Sequence, residues 1–62
     1  MNSLISNYLN GNLTTAKNKA KHFGFVRLIT ALREYGFSAE KAIATAAYLK
    51  GQGTFQAACD AL

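Results

Sequence analysis

The chain has 62 residues, half of them hydrophobic and 16% charged, with seven Lys and Arg against three Asp and Glu for a net charge of +4. A chain this short buries only about 60% of the surface its unfolded form exposes, so it supports one core and no catalytic cleft of several hundred Å³. Its single cysteine, Cys59, and single histidine, His22, exclude an internal disulfide and a zinc site supplied by this chain alone.

Hydrophobic residues recur at helical spacing almost throughout. Ser3 to Asn10 places Leu4, Ile5, Tyr8 and Leu9 on one face of a short helix, and Asn10-Gly11-Asn12 ends it. A helix so short must dock to persist. Leu13 to Phe23 forms a second segment with a narrow stripe of Leu13, Ala16, Ala20 and Phe23, and Gly24 is either its stop or the site of a kink into the next segment. Phe25 to Tyr35 is the most amphipathic stretch. It directs Phe25, Leu28, Ile29, Leu32 and Tyr35 to the core and ends at Gly36.

Ser38 reads as the N-cap of a fourth segment, Ala39 to Lys50, with Glu40 favouring its positive N-terminal end. Ala39, Ala42, Ala44, Ala46 and Ala47 surround Ile43 and Leu49 there, and such small side chains let neighbouring helices approach closely. Gly51-Gln52-Gly53 terminates it. Thr54 caps a last segment with Phe55, Ala58, Cys59 and Leu62 on one face. No stretch alternates with period two for long enough to propose a strand. The expected fold is all-α: a small compact bundle of three to five short helices in a single domain, residues 1–62. Its basic N-terminal helical segment (1–24) precedes a helical core (25–62).

Residues 27–62 resemble a ubiquitin-associated three-helix module. A helix ends in Tyr35-Gly36-Phe37, Ser38 opens an alanine-rich second helix, and a glycine-containing turn leads to a short third helix ending at Leu62. The resemblance implies a UBA-like core whose first loop and third-helix end, here Tyr35, Gly36, Phe37, Ala61 and Leu62, meet a protein partner. The family's usual loop methionine is Tyr35 here, and its leucine pair is Ala61-Leu62. In overall style the chain is similar to small bacteriophage and prophage accessory proteins. That resemblance implies a protein that occludes or remodels a larger host complex.

Charge is unevenly placed. Residues 1–33 carry Lys17, Lys19, Lys21, Arg27 and Arg33 and no acid, a local +5, whereas residues 34–62 carry a local −1. The five cations form a candidate basic face for phosphate or an acidic protein surface. The last segment is a poor DNA-reading helix, because Thr54 to Asp60 has no Arg or Lys and carries Asp60. His22 has no neighbouring acid to orient it as a base, and Cys59 reads as a small core residue. With seven aromatics in so small a chain, Tyr8, Phe23, Phe37 and Tyr48 cannot all be buried, and Phe37 and Tyr48 are the candidate exposed anchors.

The expectation is a non-enzymatic module without cofactor or metal that binds and modulates a larger protein complex. Its partner-binding residues are Tyr35, Gly36, Phe37, Tyr48 and Leu62. The alternative is a basic nucleic-acid-binding protein with little sequence specificity, working through Lys17, Lys19, Lys21, Arg27 and Arg33. A homodimer would also cover exposed aromatics. No basic n-region or long apolar run is present, so the expected compartment is the cytoplasm, with no membrane partner.

Overall fold

The computed structural model describes residues 2–62. Five helices follow one another: α1 (Asn2–Leu9), α2 (Leu13–Ala20), α3 (Phe25–Tyr35), α4 (Ala39–Leu49) and α5 (Phe55–Asp60), with no strand among the described residues. The architecture is therefore all-α, as the periodicity required. No helix is long and apolar enough to cross a membrane.

Helix ends are set by a repeated device. Gly11, Gly36 and Gly51 all take positive φ, at 83°, 130° and 78°. Each closes a Schellman motif: Asn12, Phe37 and Gln52 donate backbone N–H groups to the carbonyls of Asn7, Leu32 and Ala47, at 2.8, 3.0 and 2.8 Å. Two helix starts are capped as the sequence suggests. Ser38 Oγ accepts from the Lys41 N–H at 3.2 Å, and Thr54 Oγ1 accepts from the Ala57 N–H at 3.1 Å.

The second segment departs from its expected bounds. α2 ends at Ala20, and residues 21–23 form a turn in which His22 and Phe23 donate to the Lys19 and Ala20 carbonyls. Gly24 does not stop a helix. It is the N-cap of α3, in an extended conformation. Lys50 also reaches this bend, where its Nζ donates to Ala20 O at 3.3 Å and Phe23 O at 2.8 Å.

α4 is the hub, packing against α2, α3 and α5, while α1 lies against α2. Its buried face is Ala42, Thr45, Ala46, Tyr48 and Leu49, meeting Leu28 and Leu32 of α3 and Ala58 of α5 within one core. Leu4, Ile5, Tyr8, Ala16 and Ala20 belong to that same core. The basic N-terminal segment is thus part of the packing and not an appendage to residues 25–62. Ile43 is about half exposed, because it lies beside the stripe that α4 buries.

Gly24 marks a correctable weakness. Its backbone, φ −72° and ψ 159°, nearly matches that of the N-cap Ser38, φ −65° and ψ 162°, yet α3 has no side-chain cap. A Cβ there would meet nothing within 4 Å. Gly24→Ser should therefore stabilise the protein by about 1 kcal/mol, by adding the missing cap and restricting the unfolded chain. Thermal unfolding should register a rise of roughly 4–8 °C.

Candidate functional site

The first turn of α4 fixes one end of the molecule. α3 enters it through the Gly36 turn, and α5 returns to it, since Lys41 Nζ donates to the Ala58 carbonyl at 3.3 Å. This end therefore gathers the C-terminus of α3, the N-terminus of α4 and the C-terminus of α5. It brings Tyr35, Gly36 and Phe37 to the same end as Ala61 and Leu62. Tyr35 is 57% and Leu62 86% exposed. Phe37 is half-buried against the core, and its ring meets that of Tyr35 edge-on at 6.2 Å. Beside them, Asn2, Ile5, Ala31, Glu34 and Tyr35 line a shallow hollow.

Tyr48 does not belong with this set. It is only 7% exposed, and its ring lies 6.4 Å from Tyr8 and 5.5 Å from Phe55. Tyr8 and Phe55 in turn meet edge-on at 6.3 Å, and the Lys17 ammonium sits 4.5 Å from the Tyr48 centroid. The expectation of an exposed Tyr48 is corrected by this cluster, which joins α1, α4 and α5 at the other end of α4. Tyr35 and Phe55, expected in the core, are instead substantially exposed.

The basic residues border several hollows. Lys17 and Lys21 border a hollow together with Lys50, a residue that lies in the nearly neutral half of the sequence. Lys19 borders a different hollow with Ser3, Leu4, His22 and Phe23. The Arg27 guanidinium stacks 5.0 Å from the Phe23 ring. Arg33 shares a depression with Ile29, Thr30 and Glu34. Arg33 thus belongs with the acids and Lys50 with the lysines, an exchange that only the fold reveals.

All three carboxylates occupy the end that holds the Tyr35–Phe37 pair: Glu34 closes α3, Glu40 opens α4 and Asp60 closes α5. Asp60 opposes the helix dipole there and is held by Gln56 Nε2 at 3.1 and 3.0 Å. The hollows bordered by Lys17, Lys19, Lys21 and Lys50 contain no carboxylate. The chain's charge is therefore divided in space, with a near-neutral aromatic end and a strongly basic opposite part.

Cys59, expected in the core, is exposed, because the six-residue α5 buries only Ala58. His22 lies elsewhere, at the bend after α2. Among the described residues no three His, Cys, Asp or Glu side chains cluster as metal ligands. Burial pushes the Tyr8 phenol up, while the Thr45 hydroxyl acts in the opposite sense. Thr45 Oγ1 itself is buried without a hydrogen bond of normal geometry.

Comparison with protein-family models, with curated protein sequences and with solved structures finds no match. The site must be argued from its own geometry.

Two outcomes follow from the aromatic cluster. Tyr48→Ala should cost about 3 kcal/mol or more, as expected for a large buried ring, and should lower the urea midpoint without altering the slope. Because Tyr8 ionises less readily folded than unfolded, its contribution to stability is complete below the ordinary phenol range and is lost as pH rises from about 10 through the folded value. Chemical denaturation of Tyr8→Phe between pH 9 and about 11 should show a shallower alkaline loss than the parent.

Proposed function

We propose that this chain is a non-enzymatic binding module that docks on a larger protein through the end carrying Tyr35, Gly36, Phe37 and Leu62. One observation carries the reading: an exposed aromatic pair and an exposed leucine share an end that also holds every carboxylate of the chain. Packing does not account for Tyr35 or Leu62, whose surfaces face solvent. A partner complementary to this end is an apolar protein surface bordered by basic side chains, with the aromatics filling it and Glu34, Glu40 and Asp60 at the rim.

Size sets the mode of action. A standard interface takes about 800 Å² from each partner, about a fifth of this molecule's 3755 Å² surface. A body measuring 23 × 22 × 20 Å acts on a larger assembly by covering part of it. Modulation or inhibition by occlusion is the corresponding role. The resemblance of residues 27–62 to a ubiquitin-associated module supports the same docking end, and Lys17, Lys19, Lys21 and Lys50 border hollows away from it.

The test begins with the immobilised protein and an extract of its native source, followed by calorimetry with the purified partner. Tyr35→Ala should weaken binding at least about tenfold with an unchanged circular dichroism spectrum, as a hot-spot residue does. Lys19→Gln with Lys21→Gln should alter mainly the salt dependence of association. The opposite pattern would place the contact at the basic end. A mass that doubles with concentration, and fails to do so in Tyr35→Ala, would make a second copy the occupant.

A further inference from the structure

Between α1 and α3, beside the docking end, Asn2, Ile5, Ala31, Glu34 and Tyr35 border a hollow of about 410 Å³. Ala31, Glu34 and Tyr35 stand three and four apart, so they share one face of α3. Ile5 is buried and Ala31 half-buried, whereas Asn2, Glu34 and Tyr35 are exposed. The hollow thus has an aliphatic floor and a polar rim. About half of its wall is apolar and half polar, unlike the hollow beside Leu49, whose wall is almost wholly apolar.

Charge selects among ligands. Glu34 is the one charged side chain bordering this hollow among the described residues. Arg33 borders a separate depression with Ile29 and Thr30, which Glu34 also reaches. Glu34 stands in the last turn of α3, where the helix end itself carries about −0.5, so an acid there is unfavourable until a cation joins it. A fitting ligand is positive at its tip and apolar along its stem. Lysine and arginine side chains have that form. Of the two, a planar guanidinium can lie on an aromatic ring while donating to a carboxylate, and Tyr35 and Glu34 offer both on one rim. Tyr35 is 57% exposed, and Phe37 meets its ring edge-on.

We infer that the hollow between α1 and α3 is a subsite for one arginine side chain of the protein partner. Its stem lies on Ile5 and Ala31, and its guanidinium reaches Tyr35 and Glu34. This subsite rests on the docking end proposed above and extends it to α1, which lies outside the stretch that resembles a ubiquitin-associated module.

The subsite is testable without the partner. ¹⁵N-labelled protein is titrated with acetyl-arginine amide and, separately, with acetyl-citrulline amide, which has nearly the same shape and no charge. Arginine should shift the amides of Asn2, Ala31, Glu34 and Tyr35 saturably and leave those of Lys17, Lys50 and Gly51 in place. It should bind roughly threefold tighter than citrulline, as one exposed charge pair allows. Glu34→Gln should abolish that preference. Lys19→Gln also changes the net charge by one but borders another hollow, and it should leave the preference intact.

Equal binding of the two amides, or a preference that survives in Glu34→Gln, would overturn the subsite. So would movement of the same amides with pH near about 8 in the absence of ligand, which would make the chain's own α-amino group the occupant. Loss of the partner in Tyr35→Ala without any arginine preference would remove the subsite and leave the docking end standing. Unchanged partner binding in Tyr35→Ala would remove both.

Discussion

Helices of 6 to 11 residues cannot stand alone, and in this protein α4 makes their association possible. Its inner face presents Ala42, Thr45 and Ala46, all fully buried, so that neighbouring backbones come close and share one small core. Ala16 and Ala20 of α2 and Ala58 of α5 answer with equally small surfaces, leaving Leu4, Ile5, Leu28, Leu32 and Leu49 to fill the spaces. A larger side chain on α4's inner face would separate its neighbours, and a core this small has no second layer to absorb the gap.

The same helix organises the charge. Lys41, in its first turn, reaches the Ala58 carbonyl of α5, while Lys50, just past its last, holds the carbonyls of Ala20 and Phe23. Each lysine donates to backbone acceptors at or just past a helix end. Each also fixes what surrounds it. At Lys41's end of α4 lie Glu40 and the turn that carries the Tyr35–Phe37 pair, with Asp60 two residues beyond the carbonyl Lys41 holds; Lys50 borders one hollow with Lys17 and Lys21. The separation of the Tyr35–Phe37 end from the Lys17–Lys21 side of so small a body follows from where these two side chains tie the chain together.

Much of this was legible in the sequence. Ser38 and Thr54 announce helix starts because a hydroxyl there has a defined acceptor role, and Gly11, Gly36 and Gly51 announce ends because positive φ suits glycine. What periodicity could not supply is the width of the stripe that a neighbour covers. Tyr35 and Phe55 lie on apolar stripes but at helix ends where their neighbours cover them only in part, while Tyr48 lies off the expected stripe and is roofed by Tyr8, Phe55 and Lys17. The lysine cluster was hidden for a related reason. Lys50 is distant from Lys17 and Lys21 in the chain, and only the bend at Lys21–Phe23, which presents two carbonyls to it, brings them together. Gly24 misled because a glycine before an apolar stretch serves equally as a stop or as an N-cap.

The division of charge between the ends of α4 is the claim on which the proposed docking end rests. Paramagnetic relaxation of backbone amides by two nitroxides of equal size and opposite charge measures it residue by residue. The anionic probe should broaden amides around Lys17, Lys21, Lys50 and Gly51 well beyond the cationic one, with the preference absent or reversed at Glu34, Glu40 and Asp60. An anionic preference of equal size at Glu34–Glu40 and at Lys17–Lys21 would contradict the account.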